Sequence, residues 1–321
     1  MIKSRLFNWV FYGHVWIALG ATGLSWLTLR ITYSEQNCLE EWPVLAFIFF
    51  ATLGVYTLHR YLSFQRAGER PSTLRYGIVA QHPRMSLIIG GASVLIASGL
   101  GLSFINTIWP ALLLALPLTI FYLTPPLKGW RRLRDLPYLK NIWVALAWTI
   151  MTVIVPVIVL ESRADFCLTD RDDLFQYMII YTNGYLAPLN YVNFYLEMVT
   201  RFLLTACVAL LFDLRDLPLD RSQGVRTVAG ERPDLHRQLV DIGLLTCAAL
   251  TFFAVHAYVY FSPAFGLSLT YLLMVPVAFL TYRKTDENWY AVVVNGLLLL
   301  PPFTYWLMLL LGGDAGASDG I

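Results

Sequence analysis

Nine long apolar runs constrain this chain more than any other feature. They cover roughly residues 12–29, 43–62, 86–105, 107–124, 139–160, 190–212, 238–260, 264–282 and 290–311. Each is long enough to cross a hydrocarbon core of about 30 Å, which takes about 20 residues of helix. Backbone amides inside a bilayer must be satisfied within the segment or by a closed barrel, so runs of this length spell helices. The composition agrees: 57% of the 321 residues are hydrophobic and only 14% are charged, against about a quarter in soluble domains. The fold class expected is an all-α polytopic membrane protein, with nine transmembrane helices around a central cavity, and 1–321 forms a single domain.

Basic residues choose the sidedness. Lys and Arg near the ends of spans favour the cytoplasm, and 19 of the 23 fall on one side of this topology, in the N-terminus and in the loops after spans 2, 4, 6 and 8. Arg30, Arg163 and Arg171 lie on the other side and Arg201 lies inside a span. The N-terminus is therefore expected in the cytoplasm and the C-terminus outside. The opening "MIKSRLFNWVF" looks like the start of a signal peptide, but a full-length span follows it, and we read it as an uncleaved first helix. With a net charge of +2 the basic loops mark topology first and attraction to anionic headgroups or phosphates second, and no nucleic-acid partner is implied. Cys38 and Cys167 both fall in acidic external loops, where a disulfide is chemically allowed. The four cysteines show no metal-ligand spacing, and no Ser-His-Asp order, zinc spacing or phosphate-cradling glycine loop appears.

The chemistry concentrates in "LLFDLRDLPLDRSQGVRTV", Leu210 to Val228, where the sixth span meets water. Asp213, Asp216 and Asp220 have the three-, four- and seven-residue separations of one helix face, although Pro218 is a candidate helix breaker. Carboxylates gathered this closely need a cation. A hard Mg²⁺ ion suits them, since it takes a few carboxylate oxygens and fills its shell with water and phosphate oxygens. The plainer alternative is a solvated loop in which the aspartates pair with Arg215, Arg221 and Arg226.

"FDLRDLPLDRSQGVRTV" resembles the second aspartate-rich motif of the UbiA superfamily of intramembrane prenyltransferases. "FYLTPPLKGWRRL", Phe121 to Leu133, is similar to that family's Tyr-x-x-Pro-Pro-Leu-Lys stretch, and "LKNIWVALAW", Leu139 to Trp148, to the start of its fifth helix. The resemblance implies chemistry on an isoprenyl diphosphate in the presence of Mg²⁺, with a lipophilic acceptor capturing the prenyl cation. It implies Asp213, Asp216 and Asp220 as metal ligands, Asp216 and Asp220 also as catalytic residues, and Lys128 and Arg221 as phosphate contacts.

The family's first aspartate-rich motif is missing. The matching stretch is "LGVYTLHRYLSFQRAGERPS"; with Glu69-Arg70-Pro71 aligned to the family's Asp-Arg-Pro, its acidic positions fall on Tyr56, His59 and Ser63. Two readings follow. Either one Mg²⁺ is held by the three aspartates while His59, Arg60, Arg70 and Lys128 replace a second metal, with His59 also catalytic, or the fold binds an isoprenoid or other lipid without ionising it. Within the spans, Glu197 and Arg201 stand four apart and are expected to pair on one helix face, while His256 and Asn295 are expected to bond between helices.

Overall fold

The computed structural model describes residues 5–32, 41–66, 76–169, 187–222, 224–257 and 261–312. Among these there is no strand. The helices are α1 (Arg5–Phe11), α2 (Val15–Thr32), α3 (Trp42–Arg66), α4 (Gly77–Gln81), α5 (Pro83–Leu102), α6 (Ile105–Leu123), α7 (Lys140–Thr149), α8 (Val155–Thr169), α9 (Ala187–Ser222), α10 (Val228–Glu231), α11 (Pro233–Ala257), α12 (Phe261–Thr281) and α13 (Leu300–Gly312). The chain is an integral, multi-pass membrane protein built of helices.

Six helical segments, among the described residues, are long and apolar enough to cross a membrane: Val15–Thr32, Trp42–Gln65, Pro83–Leu102, Ile105–Tyr122, Lys140–Ser162 and Asn193–Ser222. The sequence expectation was nine. The apolar parts of α12 and α13, Phe265–Thr281 and Leu300–Leu311, are shorter. The last expected span is also interrupted: a π-helical segment, Trp289–Val294, is followed by turns over 297–299 before α13 begins. Pro301 and Pro302 explain the restart, because proline lacks the N–H that a continuous helix needs but fits a first turn. A second π-helical segment, Ile150–Ile154, joins α7 to α8 without ending the helix.

Close packing follows small residues. A Cβ on Gly54 of α3 would lie 2.8 Å from Val94 of α5, and one on Gly90 of α5 would lie 2.8 Å from Leu58 of α3, so the two backbones approach through paired glycines as membrane helices do. His236 of α11 adds a polar lock: one ring nitrogen lies 2.9 Å from the Leu210 carbonyl of α9 and the other 2.8 Å from the Tyr282 hydroxyl.

Midway along α9, Glu197 and Arg201 pair as their spacing predicts. Arg201 also donates to Thr152 Oγ1 at 3.0 Å, to the Leu24 carbonyl at 3.0 Å and to Thr28 Oγ1 at 3.1 Å. It is 1% exposed, so an ion pair inside the bundle ties α9 to α2 and to the π segment Ile150–Ile154. Asn295, by contrast, donates to Ala291 of its own segment at 3.3 Å rather than to another helix. The side chain of His256, Cys38, and the side chain of Cys167 lie outside the described residues, and with them the disulfide question.

A cavity of about 740 Å³ lies between α2 and the last segments, lined among others by Trp16, Trp26, Val292, Phe303 and Trp306. None of its lining residues belongs to the aspartate region. The cavity expected among the motif residues is thus not this one, whose walls are apolar.

Candidate functional site

Two loops and the ends of four helices, α3, α6, α7 and α9, meet at the basic-loop end of the bundle. α9 runs through Pro218 to Ser222 without breaking there. It closes just beyond at Gly224, whose φ of +67° suits glycine. Gly224 N donates to the Arg221 carbonyl at 3.2 Å and Val225 N to the Asp220 carbonyl at 2.9 Å, the paired closing bonds of a Schellman cap. This cap puts Asp220 in the last stretch of helix rather than in a loop.

The loop before α7 is clasped to the loop after α9. Tyr138 holds a left-handed backbone, φ 63°, a strained conformation for a residue with a side chain. Its amide donates to the Arg226 carbonyl at 3.2 Å, its hydroxyl donates to Glu231, and Arg226 Nη2 donates back to that hydroxyl at 2.9 Å. The bonds from Arg226 and from Tyr138 hold the Glu231 carboxyl down to about 2. This clasp positions the first residues of α7, Lys140 and Asn141, against α9.

There the aspartates part company. Each helical residue turns about 100°, so positions seven apart nearly coincide while a position three away is off by about 60°. Asp213 and Asp220 accordingly face the same neighbour, and each is 1% exposed. Lys140 Nζ lies 2.9 Å from Asp213 Oδ1 and 2.9 Å from Asp220 Oδ2. Asn141 Nδ2 donates to Asp213 Oδ2 at 2.6 Å, and Arg134 Nη2 stands 3.7 Å from Asp220 Oδ1. Both carboxylates also lie at the N-terminal end of α7, where the helix dipole favours negative charge. Asp216, turned off that line but still within the electrostatic reach of Lys140, Tyr122 and His59, takes Arg215, whose Nε donates to it at 2.9 Å. The Arg215 guanidinium lies over the ring of Phe212, 4.7 Å from its centroid.

The expectation that three aspartates share one Mg²⁺ was tested against this donor set, and the arrangement does not fit the ion. Asp213 and Asp220 converge on an ammonium group, Asp216 on a guanidinium, and no group of three or more His, Cys, Asp or Glu among the described residues could hold a metal. The pairing of Asp216 with Arg215 is what the plainer sequence reading anticipated. The pairing with Lys140 was missed.

The other site residues are partly assembled. Tyr56 of α3 reaches α7, its hydroxyl accepting from Trp148 Nε1 at 3.0 Å. His59 stands edge-on to Tyr122 of α6, ring centroids 6.4 Å apart, within the electrostatic reach of Arg60, Arg134, Asp216 and Arg132. Tyr122 is in turn close enough to feel Lys140, Arg134, Asp213 and Asp216. Arg60 lies over the Tyr76 ring at 5.3 Å. Arg132 is engaged by Asp135, with Nε to Oδ2 at 2.7 Å and Nη2 to Oδ1 at 2.9 Å. Lys128 and Arg221 are exposed, outside this buried cluster, and Arg70 lies outside the described residues. α3 and α9 therefore flank α7 and Tyr122 from two sides, with a mixed aromatic and cationic lining in place of two facing sets of acids.

Lys140, Asn141, Arg134 and Tyr122 are the residues that sequence reasoning passed over. Lys140 and Arg134 were counted as topology markers. The available signal was position: Lys140 opens an apolar helix, and a charge just inside a span needs a partner.

An all-helical membrane bundle whose polar site gathers at one end, between the ends of α3, α6, α7 and α9, is the class of protein this geometry defines. Solved structures share the fold. A UbiA homologue from Archaeoglobus fulgidus bound to GPP and Mg²⁺ matches with a TM-score of 0.55 at 10% identity, covering 93% of this chain and 99% of its own. A digeranylgeranylglyceryl phosphate synthase matches with a TM-score of 0.53 at 12% identity, covering 98% and 100%. This protein has the UbiA fold over nearly its whole length. No family model matches the sequence, and no curated protein does.

Proposed function

We propose that this protein binds an isoprenyl diphosphate at the basic end of the bundle, facing the cytoplasm, and transfers the prenyl group to a lipophilic acceptor drawn from the membrane. The observation that carries the reading is the convergence of three stretches on one site: 56–60 of α3, 122–141 around the loop into α7, and 213–226 of α9 and its cap. They converge in a fold shared with a homologue bound to GPP, which supports the donor class.

In the reaction, the allylic C–O bond breaks and its electron pair leaves on the diphosphate oxygen. Fixed cations stabilise such a leaving group most when they are preorganised in a water-poor site. Arg134 and Arg60 are the buried or half-buried candidates, and Lys128 and Arg221 supply charge from the exposed rim. The acceptor's nucleophilic atom then forms the new bond to the prenyl carbon and loses a proton, for which the His59 imidazole is the base at hand. Asp213 and Asp220 hold Lys140, and Asp216 holds Arg215. The aspartates act through those cations, and no step passes through Mg²⁺.

A second reading is favoured by one specific observation: Tyr56, His59 and Ser63 supply no carboxylate on the α3 side. Binding an isoprenoid without ionising it would need none. Pyrophosphate release measured beside ligand binding separates the two. Release with GPP and a panel of lipophilic acceptors, reduced at least tenfold (about 1.4 kcal/mol) by Arg134→Ala, is expected for transfer. Tight binding of uncharged isoprenoids with no release from any donor and acceptor combination would refute transfer in favour of the binding role.

A further inference from the structure

We infer that the Lys140 ammonium is the resident cation of the Asp213–Asp220 pair, standing where a divalent ion would otherwise stand, and that it makes the head-group site independent of divalent metal. The inference deepens the proposed function and rests on it only for the ligand; the statement about metal stands on this cluster alone.

All four oxygens of the pair face a protein group. Asp213 Oδ1 has Lys140 Nζ at 2.9 Å, Asp213 Oδ2 has Asn141 Nδ2 at 2.6 Å, Asp220 Oδ2 has Lys140 Nζ at 2.9 Å, and Asp220 Oδ1 has Arg134 Nη2 at 3.7 Å. The two Oδ1 atoms lack aligned hydrogen bonds, yet each lies in the field of a cation. Charge is balanced as well: Asp213 and Asp220 meet one ammonium and one guanidinium, and Asp216, also within electrostatic reach of Lys140, brings its own partner Arg215. A Mg²⁺ ion demands oxygen ligands at about 2.0–2.1 Å in near-octahedral order. Placed between these carboxylates it would crowd the ammonium and add like charge beside it. Lys140 would have to leave, but its side chain is only 10% exposed and is enclosed by the carboxylates it serves.

A tethered cation differs from a metal in one functional respect. It cannot coordinate a phosphate oxygen as part of a shared shell, so recognition of the anion falls to hydrogen-bond donors such as the Arg134 guanidinium, whose Nε has no hydrogen-bond partner among the described residues and lies 4.0 Å from Asp135 Oδ1. Arginine suits that duty because its planar fork matches phosphate oxygens.

Mn²⁺ titrated into the full-length protein in detergent, read by the loss of its free-ion EPR signal, tests the inference without any turnover. The wild type should bind no Mn²⁺ beyond what GPP itself chelates, judged against protein-free samples with and without GPP. Lys140→Gln should bind it more than tenfold tighter (about 1.4 kcal/mol), show a higher melting midpoint with the ion than with chelator, and lose both effects when Asp213→Asn is added. If Lys140→Gln folds only when Mn²⁺ is present, that rescue carries the same meaning. Wild-type binding of Mn²⁺, alone or with GPP, that Asp213→Asn abolishes would overturn the inference, as would a folded Lys140→Gln that binds none. Absence of GPP binding under every condition would sink the diphosphate reading while leaving the metal titration to decide Lys140.

Discussion

Replacing Arg201 by Met should cost about 3–5 kcal/mol, the range found when one member of a buried ion pair is removed. The structure places this case inside that range. Glu197 is 7% exposed and would keep a single described donor, Thr28 Oγ1 at 3.2 Å. The other groups that Arg201 serves are less affected: the one Thr28 hydroxyl proton has the Leu24 and Thr152 carbonyls, both at 3.1 Å, as alternative acceptors to Glu197, and Thr152 still donates to the Trp148 carbonyl at 2.7 Å. Nearly all the penalty is then the stranded carboxylate. Removing that too, in Glu197→Leu with Arg201→Met, should return stability to within about 1 kcal/mol of the wild type or above it, because apolar replacement of a whole buried pair is often neutral or stabilising. The assay is a double-mutant cycle on SDS-induced unfolding in mixed micelles, where about 3 kcal/mol is a change of more than a hundredfold in the folded-to-unfolded ratio. A double variant no more stable than Arg201→Met alone would refute the stranded-charge argument and assign the loss to packing.

Two further outcomes are expected. The Tyr138–Arg226–Glu231 clasp should depend on acid in a defined direction: the Glu231 carboxyl is lowered to about 2, below the ordinary value of about 4.3. Its contribution is therefore complete above about pH 4.3 and is lost as pH falls toward 2. The protection factor of the Tyr138 amide, its exchange rate taken relative to the intrinsic rate at each pH, should fall over that interval and no earlier, Glu231→Gln should bring the lower protection to neutral pH, and loss of protection near pH 6 in the wild type would refute the assignment. A cysteine at Lys128, which is exposed on the basic-loop side, should react with a membrane-impermeant thiol reagent only after the cells are opened; labelling from outside intact cells would reverse the proposed orientation.

Some of this protein was fixed by local pattern. Apolar runs of spanning length force helices because the bilayer offers backbone amides no partner. The Glu197–Arg201 pair was visible at its four-residue spacing. The spacing of Asp213, Asp216 and Asp220 was visible too, but spacing specifies only the angle at which each leaves the helix.

Which groups meet them was a tertiary matter. Lys140 is 80 residues from Asp220 along the chain and 2.9 Å from it in space, and nothing local in "LKNIW" distinguishes a lysine that marks sidedness from one that neutralises a buried carboxylate pair. The broken last segment shows the same limit: its composition is as apolar as the other spans, and only the packed backbone reveals π-helical turns and a restart at Pro301. Burial by neighbours from distant sequence decides which charges must pair, because a carboxylate taken out of water accepts whatever cation the fold brings within reach. The sequence by itself determined the helices, their apolar faces and the inventory of charges; the tertiary structure decided that two aspartates serve a lysine and the third an arginine.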